Sequence, residues 1–214
     1  MTWGIAAGLP VPVRRVLFTT LGAMVGLAIS AMFAGPAQAH VPQALNSETM
    51  SGSTLTPKPG WVHWTGAYYS CWIPSNKWQV VESAAGITIS SPTGDNYVDF
   101  GWSSWMVPLA PQEVIDNVFV QGMLHPLVSY QITSTSAVQA IPQGQRQMVE
   151  WSGIWSHQLK GQQRARGYII ADTMDYGGSY GFSAYVVAGA ASTWKRNAVT
   201  LETIRQNIVY MGNG

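Results

Sequence analysis

The chain has 214 residues, only 10% of them charged, and a formal net charge of +1. Beyond the first 39 residues the balance is 9 Lys and Arg against 10 Asp and Glu. No basic field is available for nucleic acid, and there is no strong pull toward anionic lipid, so neither is expected as a partner.

In chain order, the first signal is one of targeting. Arg14 and Arg15 precede an apolar run over residues 16–33, Gly35-Pro36 breaks any helix, and Ala37-Gln38-Ala39 supplies small residues at a cleavage site. This predicts a signal peptide over 1–39, cut after Ala39. The mature protein is then expected to be secreted or extracytoplasmic, in the periplasm or cell envelope, with no membrane attachment after cleavage. The apolar run is also just long enough for an uncleaved anchor. The paired arginines resemble a twin-arginine signal only in part, which leaves the export route open. Cys71 is the single cysteine, so no intrachain disulfide can form and stability must come from the core.

Residues 40–60 are rich in Ser, Thr, Pro and Gly and read as a flexible linker. A single α+β domain is expected over 61–214. Ala67 to Ile73, Trp78 to Val81 and Gly86 to Ser90 read as strands separated by turn clusters. From Asn96, Val98, Phe100 and Trp102 alternate with Asp99, Gly101 and Ser103, predicting a half-buried strand. Helical spacing follows from Pro111: Ile115, Val118, Phe119 and Met123 share a face, Pro111 suits the first turn, and Glu113 lies near the positive end of the helix dipole. His125-Pro126 closes that helix, with His125 read as a cation suited to its C-terminal end.

Val128, Tyr130 and Ile132 then alternate along another half-exposed strand. Gln145 to Trp155 and Arg164 to Met174 predict a hairpin across Gly161, and Phe182 to Ala188 the last strand. A final helix is expected from Thr200, as its cap, to Met211, with Gly212 as its stop. Grouped strands with few helices indicate an α+β fold with an antiparallel sheet of about six to eight strands and two main helices. Pattern alone does not say whether those helices share a face.

Cys71-Trp72-Ile73-Pro74 followed by Trp78, and the closing Trp194, Leu201, Ile204 and Ile208, carry a resemblance. In layout, Tyr69 to Tyr210 resembles the PsbP-like sandwich family, which includes LpqN- and DcrB-type exported bacterial proteins, although Lys77 stands where glycine is usual. The resemblance implies a non-enzymatic accessory or binding domain, with no shared catalytic residues to carry over.

Candidate chemistry is sparse. Gly177-Gly178-Ser179-Tyr180-Gly181 matches the nucleophile elbow of serine hydrolases, but that motif needs a strand before it and a helix after. Here a strand is expected to follow, and there is no histidine beyond His157, so a hairpin turn explains the same residues. Cys71 could act with His63, His125 or His157 as base, yet reads more simply as a small buried residue. The histidines at 40, 63, 125 and 157 are too scattered for a ligand set, and neither a metal nor a cofactor is expected. Glu150 and Asp172 could face each other across the hairpin as paired carboxylates.

The strongest signal is aromatic. Trp61 and Trp64, Trp102 and Trp105, and Trp151 and Trp155 form close pairs, and tyrosines add to them. On a strand, residues three apart point to opposite faces, whereas Trp151 and Trp155 would share one. Exposed aromatics suit stacking on sugars or anchoring a protein interface. Trp61, Trp64, Trp105, Trp155 and Tyr97 are therefore the candidate ligand-binding residues. The expected function is an exported, non-enzymatic module docking a protein or glycan of the cell envelope. The alternative is an envelope hydrolase using Ser179 or Cys71.

Overall fold

The computed structural model of the chain describes residues 56–211. The expected signal peptide, its cleavage point after Ala39, linker residues 40–55 and the stop at Gly212 lie outside the described residues.

The elements run β1 (Val62–Thr65), β2 (Tyr69–Ile73), β3 (Gln79–Ser83), β4 (Gly86–Ser90), β5 (Asn96–Trp105), α1 (Pro111–Gln121), β6 (Leu127–Thr135), β7 (Gln139–Ile141), β8 (Gly144–His157), β9 (Gly161–Asp175), β10 (Tyr180–Ala190), α2 (Trp194–Gln206) and β11 (Val209–Tyr210). The main sheet has eight strands in the order β3-β4-β5-β10-β9-β8-β6, with β7 also pairing with β8. A second sheet has the order β1-β2-β11. Every pairing is antiparallel. The α+β class, the antiparallel sheet and the two helices stand as the sequence indicated.

The helices cover opposite faces of the main sheet. On one, Ile115, Val118 and Phe119 of α1 pack with Tyr97, Val149, Trp151, Trp155 and Val186 in a first core. On the other, Leu201 and Ile204 of α2 join Tyr69, Cys71 and Ile73 of the small sheet over Ile87, Val98, Phe100 and Val187. Adjacent residues on β5 (Tyr97, Val98) and β10 (Val186, Val187) feed different cores, as strand alternation requires. β5 is therefore not half-buried: residues 96–102 are buried without a break, Asp99 among them. The second covering layer is built from both ends of the described chain, which local periodicity cannot reveal. Glu82 on β3 ties that layer down, accepting N–H bonds from Ala67, Tyr68 and Tyr69.

Helix α1 has the start its sequence predicted. Pro111 opens it, and the Glu113 carboxylate accepts the Ala110 N–H at 2.7 Å. The C-terminal helix differs from expectation. It begins at Trp194, after Thr193 rather than at Thr200, and ends at Gln206. Asn207 ends it by donating its side-chain amide to the Thr203 carbonyl at 2.8 Å, and the chain then extends to pair β11 with β2. The polar first turn, Trp194-Lys195-Arg196-Asn197, has no apolar stripe that would have marked it as helical.

Candidate functional site

The five candidate aromatics do not form one surface. Tyr97 and Trp155 are wholly buried in the first core, their rings stacked 6.1 Å apart, and cannot meet a ligand from outside. The physical reason is α1, which covers the sheet face to which their strand positions assign them. Trp151 shares that face, as its spacing from Trp155 predicted. Trp61 and Trp64 are half-buried against the second core. Of the five, Trp105 is the exposed one, with 41% of its surface open, while its neighbour Trp102 is buried. Trp72 also faces outward, with its ring 5.0 Å from that of His63, and no second tryptophan at pair spacing marks it in the sequence.

Trp105 ends β5, opposite Tyr180 at the start of β10. The chain then runs through Met106 and Val107, which are 88% and 50% exposed. This apolar run is held at both ends. Leu109 packs against the first core, and Ala110 is bonded to Glu113 at the helix entry. Alongside, the 176–179 turn closes with Tyr176 N–H on the Ser179 carbonyl at 2.9 Å, and the Tyr176 ring lies over Gly181. One end of the sheet thus presents three consecutive apolar side chains on an anchored loop.

The hydrolase constellations do not assemble. Ser179 sits in a hairpin turn followed by β10, where the elbow would need a helix. Cys71 is completely buried, and burial pushes its thiol up to about 12, the opposite of what a nucleophile needs. Its strand partner is Trp64, whereas His63 pairs with Trp72 and so points to the other side of the small sheet. The carboxylates that could have faced each other across the hairpin are also apart. Glu150 lies opposite Tyr168, while Asp172 holds Arg146 through two bonds of 2.6 Å.

Two histidines that looked scattered do come together. His125 and His157 lie at the other end of the sheet with ring centroids 4.4 Å apart. Each Nε2 bonds a carbonyl of one tight turn: His125 to Gly94 and His157 to Thr93, both at 2.9 Å. Gly94 has φ of 71°, and a Cβ there would stand 3.3 Å from His157 Nε2, so glycine lets the turn lie against the imidazoles. Asp95, paired with Lys160, closes the cluster. His125 does not serve as the helix-end cation expected of it. It is buried beyond the end of α1, and that burial lowers its pKa and favours the neutral ring. No group of three His, Cys, Asp or Glu side chains among the described residues is placed to hold a metal ion. The pair fastens the β4–β5 turn to β8.

Asp99, in the middle of β5, is a further buried ionisable group. Its carboxyl accepts the Thr88 hydroxyl at 2.6 Å, and burial raises its pKa to about 7 against the smaller opposing effect of that bond.

No protein-family model and no curated protein matches the chain. Among solved structures it is similar to the cyanobacterial PsbP (CyanoP) of Synechocystis sp. PCC 6803, at 9% identity over 78% of this chain and 99% of that one, with a TM-score of 0.41. It is also similar to LpqN of Mycobacterium tuberculosis, described as involved in cell envelope biogenesis, at 10% identity over 66% of this chain and 82% of that one, TM-score 0.40. A third is the Saccharomyces cerevisiae Ran-binding protein Mog1p, at 8% identity over 68% and 86% of the two chains, TM-score 0.35. The likeness is one of strand-and-helix layout, the PsbP-like layout that the sequence resembled.

Proposed function

We propose that the protein is an exported, non-enzymatic binding module that docks a protein or ligand of the cell envelope through the Trp105-Met106-Val107 tip. One observation carries this reading: three successive apolar side chains are held out in solvent by a loop fastened on both sides. Scattered exposed apolar residues are ordinary, but a contiguous run on a loop anchored at its flanks is the form an interface anchor takes. Tyr180, beside Trp105, extends it. The signal-like segment over residues 14–39 supports export to the compartment where such a partner would be met.

The test is retention of the full chain on isolated bacterial envelopes, with tryptophan quenching by iodide read in parallel. Trp105→Ser and Met106→Ser should release the protein into the soluble fraction while leaving its circular dichroism unchanged. Retention unaffected by either substitution would overturn the docking surface. An envelope-hydrolysing activity lost on Ser179→Ala or Cys71→Ala would overturn the non-enzymatic reading.

A further inference from the structure

The face of the sheet that α2 covers is not covered to its edge. Along β9, Tyr168 lies under α2, hydrogen-bonded to Glu202 and with its ring near that of Trp194. Alternation places Arg166 and Arg164 on the same face, in the same row, with Ala165, Gly167 and Ile169 turned to the other side. Both arginines are exposed, beyond the helix. They border an open groove of about 570 Å³ floored by β6, β8 and β9.

The register arranges this groove in two transverse rows. Gln131 lies opposite Ser152, which lies opposite Arg166. Ser129 lies opposite Ile154, which lies opposite Arg164. Each row therefore runs from a neutral hydrogen-bonding side chain on the edge strand, across two strand spacings of ~10 Å in total, to a guanidinium. Two guanidinium groups two residues apart on one strand face repel each other unless an anion sits between them.

No carboxylate among the described residues forms an ion pair with either. Glu202 is taken by Arg205 and Tyr168, and Asp172 by Arg146. Glu150 lies on the same face, opposite Tyr168, and is solvent-exposed. From Leu127 to Gln145 the chain carries no charged residue at all, so the edge strand offers no counter-charge.

We propose that this groove binds a phosphorylated sugar, with its oxyanion held by Arg164 and Arg166 and its hydroxyls by Gln131, Ser152 and Ser129. The planar guanidinium fork matches a phosphate oxyanion in pairs of hydrogen bonds. Amide and hydroxyl side chains donate and accept at once, as sugar hydroxyls require. The site is separate from the aromatic tip. Arg164 accepts the Ala191 N–H at the end of β10, whereas Trp105 pairs with Tyr180 at its start.

Isothermal titration calorimetry on the full chain tests it, with a panel of hexose and hexosamine 1- and 6-phosphates, the parent sugars, inorganic phosphate and phosphatidylglycerol vesicles. At least one sugar phosphate should bind tenfold or more tighter than its parent sugar or inorganic phosphate. Arg164→Gln with Arg166→Gln should weaken it at least tenfold. Gln131→Ala with Ser152→Ala should weaken the sugar phosphate but not inorganic phosphate. Lys77→Gln, in the exposed β2–β3 turn, should leave it unchanged. Absence of binding across the panel would overturn the proposal. So would affinity unmoved by the arginine pair, inorganic phosphate binding as well as any sugar phosphate, or preference for the vesicles.

Discussion

Replacing Asp99 by asparagine should change how the stability of this protein depends on pH, and the size of the change follows from one side chain. In the fold Asp99 is buried, its carboxyl accepts a hydrogen bond from Thr88, and burial pushes its pKa up from the ordinary 3.8 to about 7. Its folded pKa is raised, so between those two values the native state holds a proton that the unfolded chain has lost. Stability is full in this respect below pH 4 and falls as pH rises toward 7 and beyond. At ~1.4 kcal/mol per pH unit the loss is about 4 kcal/mol by pH 8. Asparagine cannot ionise and can still accept the Thr88 hydroxyl, but its amide N–H groups gain no obvious partner, at about 1–3 kcal/mol. The variant should therefore be less stable than the parent at pH 4.5 and equal or more stable at pH 8. Urea denaturation followed by tryptophan fluorescence at half-unit pH steps measures this. The difference between the two proteins is the informative curve, since titrations elsewhere cancel. Parallel profiles from pH 4.5 to 8 would refute the reasoning and mean that Asp99 ionises freely.

Trp155→Ala should cost about 3–5 kcal/mol, because a wholly buried indole leaves a cavity between the sheet and α1, whereas Trp105→Ala should stay within about 0.5 kcal/mol. Comparable losses in denaturant midpoint for the two would contradict their opposite burial. Acid should loosen the β4–β5 turn through His125, whose lowered pKa keeps it neutral when folded and whose Nδ1 has no acceptor for an added proton. A depressed histidine gives stability that is present above 6.5 and lost as pH falls below it. In an Asp99→Asn background, which removes the opposing slope, melting temperature should drop from pH 7 to 5, and less so when His125→Asn is added. An equal drop in both proteins would clear His125 of that role.

The parts of the fold that could be read from sequence are those in which one face of an element is seen by water. The stripe Ile115, Val118, Phe119 and the arms of the β8–β9 hairpin declare themselves by period. β5 hid its second buried face because its cover, β1, β2, β11 and α2, comes from distant sequence. Tyr97 and Trp155 lie inside for the same reason: alternation says which residues share a face, not which face α1 covers. The separation of Trp102 from Trp105 needed only that alternation, and it was legible. His125 and His157 meet only because β6 pairs with β8, and nothing within either local window records that pairing. Nothing in the local sequence sets Arg164 and Arg166 apart. What distinguishes them is that they lie beside the chain entering α2, in a row whose Tyr168 the helix covers.

The small sheet also has a consequence for the order in which the chain can be assembled. Hairpin β8–β9 closes across three residues, 158–160, and needs little more than its own turn. Strand β11 reaches β2 only after about 140 residues of chain have been gathered into a ring, and closure entropy grows by about 0.6 kcal/mol for each doubling of length. Those lengths differ by between five and six doublings, so joining the ends costs about 3 kcal/mol more than closing the hairpin. The seam between the second strand and the last is therefore favoured to close once the rest of the chain is in place.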